Sequence, residues 1–179
     1  MKSVFNRALV EKYDRPGPRY TSYPTAPQFH QAFAVDDYQQ AARASNQAPT
    51  PKPLSVYIHI PFCKSLCYYC ACNKIITQKT HRAVEYLTYL KREIAMQAAL
   101  FDSTRKLTQL HLGGGTPTYL TSEQLADLMA CLHQSFDMDD SDNHEFSIEV
   151  DPRTISTERI QTLRQLGFNR LSFGVQDFD

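Results

Sequence analysis

A β-rich run, Ser55-Val56-Tyr57-Ile58-His59-Ile60, leads almost directly into Cys63-Lys64-Ser65-Leu66-Cys67-Tyr68-Tyr69-Cys70, and this junction constrains the fold more than any other segment. The run reads as a strand, and the three thiols of the loop after it can converge on one metal centre. A 4Fe–4S cube normally takes four cysteine ligands, so a three-cysteine loop leaves one iron open for a substrate or cofactor. The rival is a structural zinc site that adds Cys72. Structural zinc generally uses two well-separated C-x₂-C knuckles, whereas these thiols all lie on one loop and a single residue separates Cys72 from Cys70.

The segments downstream of the loop set the fold class. Thr80 to Phe101 places Leu87, Leu90, Ile94, Ala98 and Phe101 at helical spacing, and Leu107 to Leu112 is a compact apolar strand before Gly113-Gly114-Gly115. Thr121 and Gln124 form a capping box for a helix carrying Leu125, Leu128, Met129, Leu132 and Phe136, and the acidic run Asp137 to Asp142 reads as a solvated loop. Phe146 to Val150 is a third strand. A helix opens at Ser156 or Thr157, carries Ile160, Leu163 and Leu166, and stops at Gly167, before a fourth strand over Arg170 to Val175.

Four strands separated by three helices predict an α/β fold of parallel βα units, a partial TIM-type barrel with its candidate functional groups just past the strand C-termini. Residues 1–53 read as an N-terminal arm. It holds the turn-rich Pro16 to Pro24, a short helix from Asp36 to Ala44 and a proline-rich linker, and the barrel portion occupies 54–179. Four βα units cannot close a barrel, which needs roughly 200 residues or more, so the chain reads as an inactive fragment with the rest of the barrel missing.

Charge excludes some partners. Nineteen basic residues balance nineteen acidic ones, so no global field favours nucleic acid or an anionic membrane. The N-terminus has no apolar leader and no segment is long enough to span a bilayer, so the cytoplasm is expected, where cysteines serve as ligands or free thiols.

Several single residues carry two readings. Gly113 to Thr118 is either a tight turn or a backbone cradle for a ligand beside the cysteine loop. Glu149, and Gln176 on the next strand, either face solvent or serve a site at the sheet edge. Tyr68 and Tyr69 either fill the core or wall off a metal and face a nucleoside. His59 and His111 read as packed or hydrogen-bonded histidines, and Cys131 as a buried thiol without a role.

The spacing C-x₃-C-x₂-C, with an aromatic before the last cysteine and a strand before the loop, resembles the signature of the radical S-adenosylmethionine enzymes. Further runs narrow the resemblance: Gly17 to Pro24, Tyr57 to Cys63, Cys70-Ala71-Cys72-Asn73-Lys74, Gly113 to Leu120, and Gly167 to Ser172. Together they are similar to the N-terminal part of the oxygen-independent coproporphyrinogen III oxidases. The resemblance implies a 4Fe–4S cluster on Cys63, Cys67 and Cys70, with Cys72 left out. It also implies two S-adenosylmethionine molecules held by Tyr57, Tyr69, Gly114, Gly115, Thr116, Glu149 and Gln176, with Arg19 a candidate to pair with a substrate carboxylate. The implied reaction converts two propionates of coproporphyrinogen III to vinyl groups, giving protoporphyrinogen IX, with an electron donor and an electron acceptor as further partners and a monomer as the working form. A haem chaperone of the same superfamily is the alternative, disfavoured by the Gly-Pro-Arg-Tyr arm and by Cys72.

Overall fold

Along the strands that leave residue 54, apolar and polar side chains alternate with period two, and this alternation divides the sheet into one face that packs and one that does not. The computed structural model of the chain describes residues 5–14 and 25–174. The expectations placed on Arg19, on the turn over 16–24 and on Gln176 lie outside the described residues.

Two compact units are formed, Met1–Gln40 and Ala41–Asp179. In the first, α1 (Arg7–Tyr13) is capped by the Asn6 side chain, which accepts the Leu9 N–H at 3.0 Å, and an Arg7–Glu11 pair spans one turn. This helix buries no residue. α2 (Val35–Ser45) begins where Asp37 accepts the Ala34 N–H, one residue before the expected start. Its last turn belongs to the second unit. There Arg105 donates to Ser45 Oγ, Asn46 Oδ1 and the Lys52 carbonyl, tying residues 45–52 to the core.

The second unit runs β1 (Leu54–Ile60), β2 (Phe62–Cys63), β3 (Ile75–Ile76), α3 (His81–Ala98), β4 (Lys106–Gly114), α4 (Ser122–Ser135), β5 (Asp137–Met138), β6 (Glu145–Val150), α5 (Thr157–Gln165) and β7 (Arg170–Phe173). The main sheet has the order β1-β4-β6-β7, all pairings parallel, which is the expected (β/α) architecture. Its apolar rows, Val56–Leu110–Phe146 and Ile58–Leu112–Ile148–Leu171, meet the helices. α3 contributes Ala83, Leu87, Leu90 and Ile94, and α4 contributes Leu125, Leu128, Met129 and Leu132, the stripes anticipated from spacing. The Thr121–Gln124 capping box forms, and Gly167 ends α5 at φ +95°, a conformation glycine adopts without strain. Ile160 is largely exposed, and the packing of α5 rests on Leu163.

Three features depart from the expected layout. The strand before the glycine turn continues through Gly113 and Gly114, because β1 keeps pairing with it as far as Ile60↔Gly114. The acidic run is not wholly a solvated loop. Asp137–Met138 pairs with the start of β4, Met138 is buried and Asp137 meets Lys106 at 2.8 Å, so a core side chain and a charge pair recruit it to the sheet. The two-residue strands β2 and β3 pair in parallel and close the base of the cysteine loop.

Candidate metal and cofactor site

The cysteine loop starts from a rigid base. Phe62 is buried between Tyr119, stacked at 5.3 Å, and Tyr86, edge-on at 5.5 Å. Across that base Ile75 N–H bonds to the Pro61 carbonyl at 2.7 Å and Thr77 N–H to the Cys63 carbonyl at 3.0 Å. The loop therefore leaves and re-enters the sheet edge at one point. Lys74 folds back inside it, its Nζ donating to the Cys70 carbonyl at 2.8 Å.

All five cysteines are free thiols. Cys63 is buried, Cys67 and Cys70 are partly buried and Cys72 is exposed. Burial pushes the Cys63 thiol up, an effect the Thr116 hydroxyl opposes by donating to its sulfur at 3.6 Å. Cys70 is pulled down, first by the backbone N–H of Cys72, while bonding to Cys70 pushes Cys72 up. Within this loop Cys70 is thus the better thiolate and Cys72 the poorer one. The thiols do not form a ready-made cage: among the described residues no group of three or more His, Cys, Asp or Glu side chains is placed to hold a metal ion.

The glycine turn approaches the loop so closely that side chains are excluded. A Cβ on Gly115 would lie 2.8 Å from Cys63 Sγ, Phe62 O and Pro61 C. Gly115 N–H bonds to the Ile60 carbonyl and Thr116 N–H to the Phe62 carbonyl, both at 2.9 Å. Gly114 sits at φ +115° with the His59 ring against its Cα. Three thiols on one loop, beside backbone kept bare, suit a thiolate-held cluster in kind and in order.

Behind this rim the sheet's second face is polar. Pairing aligns Tyr57, His111, Ser147 and Arg170 in one row and Ser55, Gln109 and Glu145 in another. Glu149 belongs to this face, and its Oε2 accepts the Gly114 N–H at 3.0 Å. Tyr57 is 58% exposed, and burial of its ring, with Glu149 nearby, pushes its hydroxyl above the usual range. Tyr69 and Tyr68 are 65% and 95% exposed, which rules out core filling for both. Tyr57, Gly114 and Glu149 are brought together, and Gly115 and Thr116 meet Cys63. Two histidines supply links the motifs did not announce. His59 bonds Tyr57 OH at 3.0 Å and the Asn73 carbonyl at 2.9 Å, and His111 bonds Ser147 Oγ at 2.6 Å. Their period-two alternation with Ile58, Leu110 and Leu112 is the signal that places them on the polar face.

Comparison with known proteins finds relatives in both sequence and fold. The profile of the Radical SAM superfamily matches residues 57–179. An oxygen-independent coproporphyrinogen III oxidase of Pseudomonas aeruginosa is 48% identical over 96% of the chain and 37% of the relative. That of Escherichia coli is 49% identical over 96% and 36%, respectively. The chain thus spans little more than a third of these relatives, but it covers 97% of one from Mannheimia haemolytica at 49% identity. A solved structure of coproporphyrinogen III oxidase (HemN) from Escherichia coli, described as a radical SAM enzyme, superposes with a TM-score of 0.82 at 47% identity, over 98% of this chain and 37% of that one.

Proposed function

Because the chain belongs to the radical SAM superfamily, and within it to the oxygen-independent coproporphyrinogen III oxidases, we propose that it forms the N-terminal, cluster-bearing part of an oxidoreductase that decarboxylates coproporphyrinogen III. In this reading residues 54–179 supply the first part of the barrel and residues 1–53 an arm. The observation that carries it is the approach of a side-chain-free glycine turn to Cys63, the first of three free thiols on one pinched loop, with Glu149 held by Gly114 at the same sheet edge.

Cys63, Cys67 and Cys70 would hold the 4Fe–4S cluster, and Cys72, exposed and with its thiol pushed up by bonding to Cys70, would stay outside it. When bound, the cluster and S-adenosylmethionine supply a one-electron route to a carbon radical strong enough to take hydrogen from an alkyl chain. Two S-adenosylmethionine molecules would share Tyr57, Tyr69, Gly114, Gly115, Thr116, Glu149 and Gln176. Gly114 and Gly115 let backbone approach the cofactor, Glu149 offers carboxylate acceptors held in place by Gly114 N–H, and Tyr69 offers an exposed aromatic face. Arg19 would pair with a substrate propionate. At each of two propionates, loss of a β-hydrogen, CO₂ and one electron leaves a vinyl group, so the product is protoporphyrinogen IX, and an electron donor and acceptor are required. The working form in this reading is a monomer in the cytoplasm, a reducing compartment that five free thiols fit, and among the described residues no helix is long and apolar enough to cross a membrane.

Anaerobic reconstitution of the complete protein tests the assignment. We expect about four irons per chain, as for a single cube, loss of iron in Cys63→Ala, Cys67→Ala and Cys70→Ala, and retention in Cys72→Ala. One zinc per chain without iron, or iron loss in Cys72→Ala alone, would refute it. Chromatography of the tetrapyrrole product from reconstituted protein then tests the substrate.

A further inference from the structure

His111 lies in the middle of the polar face, and each neighbour constrains it. Its ring stacks on Tyr57 at 5.7 Å and 22°. Nδ1 meets Ser147 Oγ at 2.6 Å, and Nε2 stands 3.6 Å from Glu149 Oε1. Ser147 is buried, and its hydroxyl reaches two acceptors, His111 Nδ1 at 2.6 Å and the Leu110 carbonyl at 3.3 Å. The contact to the ring is much the shorter. With Ser147 donating to Nδ1, the ring carries its hydrogen on Nε2, the nitrogen that faces Glu149 Oε1.

The other carboxylate oxygen of Glu149 is already engaged by Gly114 N–H at 3.0 Å. Glu149 is thus flanked on both sides: the glycine turn of β4 bonds one oxygen, and His111 faces the other at 3.6 Å. Its side chain remains 42% exposed, so acceptor capacity is left for a ligand arriving from the open side. The same imidazole backs the Tyr57 ring, and a Cβ on Gly113 would lie 3.0 Å from both rings, so the bare Gly113 leaves room for the stack.

We propose that His111 is a positioning residue that sets the carboxylate orientation of Glu149, and the ring of Tyr57, for S-adenosylmethionine. It acts through these two side chains, which are its neighbours on the open face. The inference rests on the assignment of Glu149 and Tyr57 to the cofactor site made above. It adds a role for a histidine that the motif comparison leaves without one, and it requires the ring's two nitrogens to do different work: Nδ1 anchors to Ser147, and Nε2 orients Glu149.

The two nitrogens can be separated experimentally. Asn places an acceptor near the Nδ1 position and has nothing at Nε2, whereas Gln reaches the Nε2 position. The dissociation constant of radiolabelled S-adenosylmethionine is measured by equilibrium dialysis on the complete, cluster-reconstituted protein for His111→Asn, His111→Gln, Glu149→Gln and the double variant His111→Asn/Glu149→Gln. Iron content and near-ultraviolet circular dichroism are recorded for each variant. We expect His111→Asn to weaken binding about fivefold and His111→Gln to recover most of that loss, with the double variant no weaker than Glu149→Gln alone, as coupled contacts behave. Iron content should equal that of the parent throughout. If Glu149→Gln binds as the parent does, the cofactor assignment of Glu149 falls, and this inference with it. If Glu149→Gln weakens binding but His111→Asn is neutral, or multiplies independently with it, the assignment of Glu149 stands and the role of His111 is refuted. Equal loss in His111→Asn and His111→Gln also refutes it, because it points to packing rather than to Nε2.

Discussion

Replacing Gly115 by alanine tests how the glycine turn and the cysteine loop hold one another. The added Cβ would lie 2.8 Å from three atoms where ordinary contact begins at 3.4 Å, a shortfall of about 0.6 Å. Two of those atoms, Phe62 O and Pro61 C, are backbone and cannot rotate aside, and the third is Cys63 Sγ. Relief requires the 61–63 segment to move away from β4, which strains the bonds from Gly115 N–H to Ile60 and from Thr116 N–H to Phe62. Overpacking of this kind costs about 1–3 kcal/mol and each weakened hydrogen bond up to about 1 kcal/mol more, so we expect a loss of roughly 2–4 kcal/mol. Displacement of Cys63 should also lower the iron retained after reconstitution. Gly167→Ala is the control. Its nearest neighbour is 3.9 Å away, but its φ of +95° is left-handed, so it should lose about 1–2 kcal/mol through backbone strain alone and keep its iron. Urea denaturation with iron analysis on both variants decides the matter. A Gly115→Ala protein with the parent's midpoint and iron content would refute the reasoning.

The packing and the charges give two further expected outcomes. Leu128 is fully buried between α4 and the sheet, so Leu128→Ala should cost about 2–5 kcal/mol in a denaturation curve, and a loss below about 1 kcal/mol would mean that the site collapses around the gap. Asp151 accepts from Arg153 Nε at 2.9 Å and Nη2 at 2.8 Å, and the guanidinium holds its carboxyl below the usual range. A depressed folded-state value stabilises above the unfolded pKa of about 3.9 and ceases to do so as pH falls through the folded value. Arg153→Ala should therefore lower the urea midpoint at pH 7 by more than at a pH well below 4, and equal losses at both would count against the pairing.

Most of the element layout was legible because local chemistry and tertiary packing agree. The Thr121–Gln124 box, the stop at Gly167 and the stripes on α3 and α4 are short-range patterns, and each recurs in the structure. The elements that were missed depend on distant partners. β2 and β3 are two residues each and have no pattern of their own; they exist because Phe62 and Cys63 find Ile75 and Ile76 across the loop. Met138 joins the sheet because the core has room for it beside Leu107, despite the acidic residues around it.

The sequence alone settles which thiols stand together and in what order: C-x₃-C-x₂-C after a strand, with a glycine turn after the next strand. Those features are written in residue types and spacing, which no folding step can change. Only the tertiary structure decides that Gly115 stands against Cys63, that Glu149 is held by Gly114, and that His111 connects Tyr57, Ser147 and Glu149. These contacts join strands far apart in the chain, and parallel pairing in a particular register brings them into one row. A slip of one residue in β6 would turn Glu149 and Ser147 to the helix side and Ile148 toward the site. The register of the sheet, set by the apolar rows on its other face, therefore determines which polar groups the site receives.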